Sequence, residues 1–351
     1  MTDPSALPRP PVLVLAGGNA LGAFQAGAYQ ALYENGVLPD WIVGASIGAV
    51  NGALIVGNPV ERRLEALQAF WSKAALPTGP GWGSAPAIFT ELRRLYGQTQ
   101  AMLFGSPAVF TPNYAGLMAS EASAVGVYSL DPLRRSLERL VDFERLNRGD
   151  TRFSVVATDL ETGAEVLFDT REGWIGPDHI VASSALLPEF RPVEIEGRLL
   201  GDGGLTSNQP LDVVWRERDR DGVCIAVDLF SPVSRRFNTV GEAMLRRNEL
   251  FFTSQSRRIL EAYEREDRLR DALRAALTLI PEDRRDTPDF QTARRALAER
   301  PPLKIVRLVW RSGEEVGNYL YDYSDVAVAT RWKAGERAVA EALQAMADSQ
   351  Q

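Results

Sequence analysis

The sequence predicts an α/β fold, a three-layer sandwich whose mostly parallel central sheet is covered by helices on both faces. Two observations carry that expectation. Short apolar runs that stop at glycine recur along the chain, as buried parallel strands do. Helical stretches separate these runs, and strand–helix alternation at this spacing implies parallel strands joined by crossovers. Composition agrees, since 351 residues with 45% hydrophobic and 24% charged side chains suffice for a sizeable core.

Val12 to Ala16 is the first apolar run and ends at Gly17-Gly18. Gly22 to Asn35 reads as a helix with Phe24, Ala28, Ala31 and Leu32 on one face and Gly36 as its stop. Trp41 to Gly44 is a second strand, Ile47 to Val56 a helix of small residues closed by Gly57-Asn58-Pro59, and Glu61 to Lys73 an amphipathic helix. Pro77 to Tyr128 differs: its charges are Glu91, Arg93, Arg94 and Glu121, and it holds Trp82, Phe89, Tyr96, Phe104, Phe110, Tyr114 and Tyr128. That stretch (77–128) is expected to be an apolar lid or cap with weak regular structure. A helix at Pro132–Val141, strands at Arg152–Thr158 and Glu165–Phe168 and a short helix at Asp178–Ala185 follow. Arg198–Leu200 is a strand leading into Gly201-Asp202-Gly203-Gly204, and Val223–Leu229 is another. From Ser231 to Pro302 the chain is polar and rich in Arg and Glu, with its clearest helix at Arg257–Ile280; Leu303–Trp310 is a last strand and Arg331–Met346 a last helix. The expected organisation is a leader (1–11), a main domain (12–230) and a C-terminal helical extension (231–351) whose one strand completes the same sheet.

Charge and rare residues narrow the function. Lys+Arg 39 against Asp+Glu 46 gives −7, which argues against nucleic-acid binding through bulk positive charge. No apolar run reaches the roughly eighteen residues of a bilayer-spanning helix. Residues 1–11 lack the apolar core of a secretory signal, so a cytoplasmic location is expected. The single cysteine, Cys224, excludes an intrachain disulfide and any Cys-clustered metal site, and the single histidine, His179, excludes a two-histidine one. No metal and no cofactor is expected.

Gly44-Ala45-Ser46-Ile47-Gly48 is a G-x-S-x-G between a strand and a helix, the setting in which a tight turn exposes a nucleophilic serine. Gly44 and Gly48 allow backbone to approach without a Cβ clash. Gly17-Gly18-Asn19-Ala20-Leu21-Gly22 joins the first strand to the first helix, where backbone N–H groups and a helix N-terminus favour an anion. A dinucleotide loop would need glycine at Asn19 and an acid at the end of the second strand, where Ser46 stands. A phosphate loop would need Lys-Ser/Thr after the glycines. An oxyanion hole facing Ser46 fits better. For the proton acceptor a serine needs, the residues leave His179 and three strand-end aspartates, Asp159, Asp202 and Asp228. Asp202 stands out through Gly203-Gly204, which form a turn able to bring a carboxylate close to other backbone.

Three stretches in this order, LAGGNALGAFQAG, VGASIGAVNG and GDGGLTSNQP, resemble the patatin-like phospholipase family over roughly Val12 to Leu211. Ala182-Ser183-Ser184-Ala185-Leu186-Leu187-Pro188 resembles the segment before the aspartate in bacterial members, and the remainder resembles the C-terminal extension of a bacterial subgroup. The resemblance implies a serine acyl hydrolase acting on lipid carboxyl esters, of the phospholipase A, lysophospholipase or general lipid esterase type. It implies a dyad of Ser46 and Asp202, oxyanion donors at Gly17, Gly18 and Asn19, and motif-flanking glycines Gly22, Gly44, Gly48, Gly203 and Gly204. Asn19 departs from the family's third loop glycine and Leu21 from its Arg or Lys; asparagine keeps the N–H and tolerates left-handed backbone. The expected partner is a lipid or acyl-ester substrate, with transient peripheral contact at a membrane; oligomeric state is not legible. Two other readings stand: an α/β-hydrolase-type esterase or thioesterase pairing Ser46 with His179, and a non-catalytic lipid-binding or scaffold homologue.

Overall fold

Alternation along the first strand sets the layering. In β1 (Val12–Leu15) Val12 and Val14 join one apolar cluster, Leu13 and Leu15 join another, and all four are buried. A strand buried on both faces belongs inside a sheet covered on both sides. The computed structural model describes residues 9–78, 87–113, 126–217, 222–233, 236–238, 240–298, 303–311 and 319–348. Most of the expected leader, and Trp82 and Tyr114 of the expected cap, lie outside them.

After β1 come α1 (Gly22–Glu34), β2 (Trp41–Ala45), α2 (Ile47–Val56), α3 (Arg63–Ala74) and α4 (Ala87–Phe104). Next are the two-residue strands β3 (Thr111–Pro112) and β4 (Tyr128–Ser129), then α5 (Asp131–Leu140), α6 (Phe143–Arg148), β5 (Arg152–Asp159) and β6 (Glu165–Asp169). The middle of the chain continues with α7 (Pro177–Ser183), β7 (Val193–Ile195), β8 (Arg198–Asp202), α8 (Gly204–Ser207), α9 (Leu211–Glu217) and β9 (Gly222–Asp228). The last elements are α10 (Val240–Thr278), α11 (Pro288–Ala298), β10 (Leu303–Val309) and α12 (Asp325–Asp348).

The central sheet runs β10-β9-β1-β2-β5-β8-β7, with β6 also paired to β5. The five strands from β10 to β5 are parallel, and the pairings of β6, β7 and β8 are antiparallel. On one face α1, α2 and α12 pack over Leu13, Leu15 and Ile42; on the other, Leu211, Val214, Ile259 and Tyr263 of α9 and α10 cover Val12, Val14 and Val43. This is the α/β sandwich the sequence predicts. α2 is apolar around its whole circumference and all its residues are buried, as such a helix must be.

Two elements differ from expectation. The stretch read as weakly structured contains α4, an 18-residue helix. Its inward face carries Arg94, Gln98 and Ala101 at helical spacing, whereas Leu95, Tyr96, Met102 and Leu103 are exposed. An apolar pattern turned outward is not legible as an amphipathic core helix. Phe110 and Tyr128 of the same stretch enter an aromatic cluster with Phe190 and Tyr321 rather than an open groove. The helix expected at 257–280 begins earlier, at Val240.

The C-terminal residues are built into this sheet. β10 pairs with β9 from Leu303↔Gly222 to Val309↔Asp228, and α12 crosses α1 at the two glycines that allow it. A Cβ on Gly27 would lie 1.9 Å from the Trp332 carbonyl oxygen, and one on Gly335 2.0 Å from that of Phe24. Both obstacles are backbone, so Gly335→Ala is expected to cost about 2 kcal/mol or more. Gly222→Ala, with nothing within 4 Å of its Cβ, should stay within about 0.5 kcal/mol. Urea midpoints of the two variants check this; equal midpoints would show that the crossing relaxes freely. Cys224 is fully buried in β9, and desolvation pushes its thiol up to about 12. A thiol reagent should leave the native protein unmodified and titrate one thiol only in denaturant.

Candidate active site

Parallel pairing of β1 and β2 matches Leu15 with Gly44, so the loops after the two strands emerge side by side. After β2 the chain turns at Ser46, with φ 54° and ψ −127°, directly into α2. Left-handed backbone costs a non-glycine residue roughly 1–2 kcal/mol. Surrounding bonds enforce it: the Ser46 N–H donates to Ser183 Oγ at 2.9 Å, Ser183 donates to the Val156 carbonyl at 2.6 Å, and the Ser46 carbonyl accepts from Ala49 N at 2.9 Å. One turn on, a Cβ at Gly48 would stand 2.1 Å from the Leu15 carbonyl oxygen, so only glycine lets α2 start against β1. Gly44 lies within β2 and Gly22 opens α1.

Asp202 reaches the same place through register. β2 pairs with β5 as far as Ala45↔Val156, and β8 takes up the next position with Asp202↔Ala157. β6 lines the opposite edge of β5 there, so β8 continues the row that β2 began. The chain then turns at Gly203, whose Cβ would lie 2.2 Å from the Val156 carbonyl oxygen, and the Gly204 N–H donates to Asp202 Oδ1 at 2.7 Å. Asp202 is 3% exposed and lines the same cavity as Ser46. Burial pushes its carboxyl up to about 7. The nearby Ser46 hydroxyl and the Gly204 N–H oppose that rise, and the carboxylate of Glu189 adds to it.

The other candidate bases have separate roles. Asp159 accepts from the N–H groups of Glu161 and Thr162 at 3.0 Å each, closing its own turn. Asp228 pairs with Arg307 at 2.9 Å and accepts from Phe230 N. His179 takes the Gly176 N–H on Nδ1 at 2.9 Å, packs edge-on against Phe168, and does not line the cavity at Ser46. Of the four groups, Asp202 alone is brought to the serine.

The glycine-rich loop is held from several sides. The Gly17 N–H donates to the Asn208 carbonyl at 2.9 Å and the Asn208 amide returns to the Gly17 carbonyl at 3.3 Å. Gly17 is thus withdrawn from the open donors. Gly18 and Asn19 line the cavity, and their N–H groups make no hydrogen bond among the described residues. Asn19 sits at φ 51° and opens a single 3₁₀ turn leading into α1.

Ser46, Asp202, Gly18 and Asn19 face a cavity of about 590 Å³ whose walls include Leu130, Leu133, Leu186, Phe230, Phe252 and Leu320. That volume and an apolar lining with few polar groups suit a small organic ligand or an acyl chain. Glu189 lines it too, with a buried Oε2 that has no hydrogen-bond partner among the described residues. Among the described residues no group of three or more His, Cys, Asp or Glu could hold a metal ion, and no helix is long and apolar enough to cross a membrane.

Sequence reasoning passed over several residues that shape the site. Ser183 and Asn208 lie inside the stretches Ala182–Pro188 and Gly201–Pro210, and that neighbourhood is the signal the residues offer. Gln255 of α10 donates to the Gly204 carbonyl at 3.3 Å and accepts from Asn208 N at 3.1 Å. Nothing local to Gln255 marks it.

Residues 13–215 match the family model described as patatin-like phospholipase, and residues 250–351 match a second one described as patatin phospholipase. A patatin-like phospholipase domain-containing protein of Caenorhabditis elegans is 26% identical over 202 residues, 58% of this chain and 12% of that protein. An uncharacterized NTE family protein of Mycobacterium tuberculosis is 28% identical over 201 residues, 57% of this chain and 44% of its own. The chain therefore spans less than half of these relatives. Among solved structures, VipD from Legionella pneumophila is 16% identical with a TM-score of 0.43, covering 95% of this chain and 67% of its own. The type III effector protein ExoU is 17% identical with a TM-score of 0.36, covering 96% and 53%.

The raised Asp202 value has a consequence for stability. An unfolded aspartate titrates near 3.8 and the folded one near 7. Stability associated with the protonated folded carboxyl is complete below 3.8 and is lost as pH rises through 7. Asp202→Asn removes that titration. The variant should gain on wild type between pH 4 and pH 7 and level off above, by up to roughly 4 kcal/mol. Urea unfolding at pH 4 and pH 8 measures it; a wild-type-to-variant difference that is the same at both would contradict a buried, raised Asp202.

Proposed function

The chain belongs to the patatin-like phospholipase family, and from that premise we propose that it is a serine acyl hydrolase cleaving carboxyl esters of lipids. The observation that carries the reading is the placement of a strained serine and a buried carboxylate at neighbouring strand ends on one apolar cavity. Ionised Asp202 takes the Ser46 hydroxyl proton while Oγ attacks the ester carbonyl carbon. The N–H groups of Gly18 and Asn19, with the positive end of α2, stabilise the oxyanion that forms. Collapse expels the alcohol, which receives the proton from Asp202. Water then attacks the acyl-serine with Asp202 again as base, and the carboxylic acid leaves. A carboxyl titrating near 7 is a far better base at neutral pH than an ordinary aspartate.

The apolar cavity walls support an acyl chain as the group bound beside Ser46. Exposed Leu95, Met102, Leu103 and Phe104 on α4, and exposed Met244 and Phe251 among the cavity-lining residues, support transient contact with a lipid surface.

Hydrolysis of a p-nitrophenyl ester and labelling by a fluorophosphonate test the assignment together. Ser46→Ala should lose both, and Asp202→Asn should lose at least about a thousandfold in rate while staying folded. His179→Ala should remain within about tenfold of wild type. The kcat/KM profile should rise with pH around a midpoint of about 7, and the His179→Ala variant should keep that limb. Loss of the limb with the imidazole would transfer the base role to His179.

A further inference from the structure

The oxyanion loop departs from its family's pattern at Asn19, and the fold supplies a partner for the side chain that this departure introduces. Tyr323, just before α12, donates its phenol hydroxyl to Asn19 Oδ1. Tyr323 is fully buried, its ring stacked over Trp71 with centroids 6.5 Å apart and set edge-on to Phe110 at 5.9 Å. Burial raises its hydroxyl well above the usual tyrosine range, so it stays a donor wherever the protein is folded.

The next loop residue is held from the same segment. Arg331 of α12, with no exposed surface, donates to the Ala20 carbonyl at 3.2 Å and to the carbonyls of Asp322 at 2.8 Å and Tyr319 at 3.0 Å. One guanidinium thereby ties the loop backbone to the stretch that presents Tyr323. From the other side Asn51 donates to the Gly22 carbonyl at 2.9 Å and accepts from Trp71 Nε1 at 2.9 Å. The turn containing the Asn19 N–H is thus fixed at Asn19, Ala20 and Gly22; the Asn19 carbonyl accepts from the Gly22 N–H, and its side chain is held by the tyrosine hydroxyl.

We propose that Tyr323 is a positioning residue for the oxyanion hole, acting through the Asn19 side chain to hold the Asn19 N–H at the cavity. Tyr323 then contributes to ester hydrolysis without itself lining the cavity. The proposal rests on the serine hydrolase reading above. It follows from the geometry an oxyanion donor needs: removing one such donor costs about 10²–10³ in kcat, and misplacement by about 1 Å can cost on the order of 10². An asparagine at φ 51° held by a buried phenol is restrained in a way that glycine at this position cannot be.

A double-mutant cycle with Tyr323→Phe and Asn19→Gly tests this. Tyr323→Phe keeps the ring and removes the hydroxyl; Asn19→Gly keeps the N–H and the left-handed turn but removes the tethered side chain. Each single variant should lower kcat about tenfold with KM within about twofold, the signature of an interaction made in the transition state. The double variant should be no slower than either single one, within about twofold. Thermal melting of all four proteins reports folding separately. Multiplying losses in kcat, or a wild-type kcat in Tyr323→Phe, would overturn the positioning role, since a packing contribution from Tyr323 would persist without Asn19. Ser46→Ala run in the same assay separates the two levels. If it is inactive, a failure of the cycle concerns Tyr323 alone; residual wild-type activity there would overturn the nucleophile reading and the positioning role with it.

Discussion

Ala45 pairs with Val156 and Asp202 pairs with Ala157, and that one-residue step along β5 constrains the rest of the site. It sets the end of a parallel strand and the end of an antiparallel strand against the same neighbour. Ser46 and Asp202 are then adjacent without any flexible loop between them. A shift of one residue in the β5–β8 ladder would turn Asp202 to the opposite face of the sheet. The close approaches at Gly48 and Gly203 follow from the same packing, because in both cases a strand carbonyl occupies the volume a side chain would need.

The site is unfavourable for the fold in two ways. Ser46 holds a left-handed backbone, and Asp202 holds a carboxyl out of water. Such strain persists where the surroundings over-determine it, and here they do. Ser183 links the serine N–H to the β5 backbone, Gly204 caps the carboxylate, and Asn208 stitches the first loop to the turn after Asp202. Cores on both faces of the sheet supply the rigidity that keeps these bonds in register. The burial that disfavours ionised Asp202 also brings its carboxyl into the neutral range.

The C-terminal residues complete this arrangement. β10 covers the edge of β9 that would otherwise present unpaired backbone, and α12 lies on α1 closely enough to need glycine on both helices. From that platform Tyr323 and Arg331 reach the glycine-rich loop after β1, while Gln255 of α10 reaches the Asp202 turn. Both loops at the cavity are therefore braced by the C-terminal third of the chain, which lies outside the three motif stretches.

The local devices were legible in the residues: apolar runs stopped by glycine, a serine between glycines at a strand–helix junction, and an aspartate before two glycines. Each depends on backbone conformation over a few positions, which residue type and period largely set. The α4 helix was not legible, because it turns Arg94, Gln98 and Ala101 inward and leaves its leucines exposed. The glycine pattern cannot tell Gly17 from Gly18 as a donor; Asn208, from distant chain, takes the Gly17 N–H. Residue pattern marked Asp202 by the two glycines after it but left Asp159 and Asp228 open as strand-end carboxylates; an Arg307 partner, a closed turn or a neighbouring serine separates the three only in three dimensions. The sequence by itself determined the fold class and the turns that expose a serine and a carboxylate. Tertiary structure decided which carboxylate meets that serine, and that Tyr323, 304 residues from Asn19, braces its loop. A side chain's burial and partners depend on where distant chain returns, and no local pattern encodes that return.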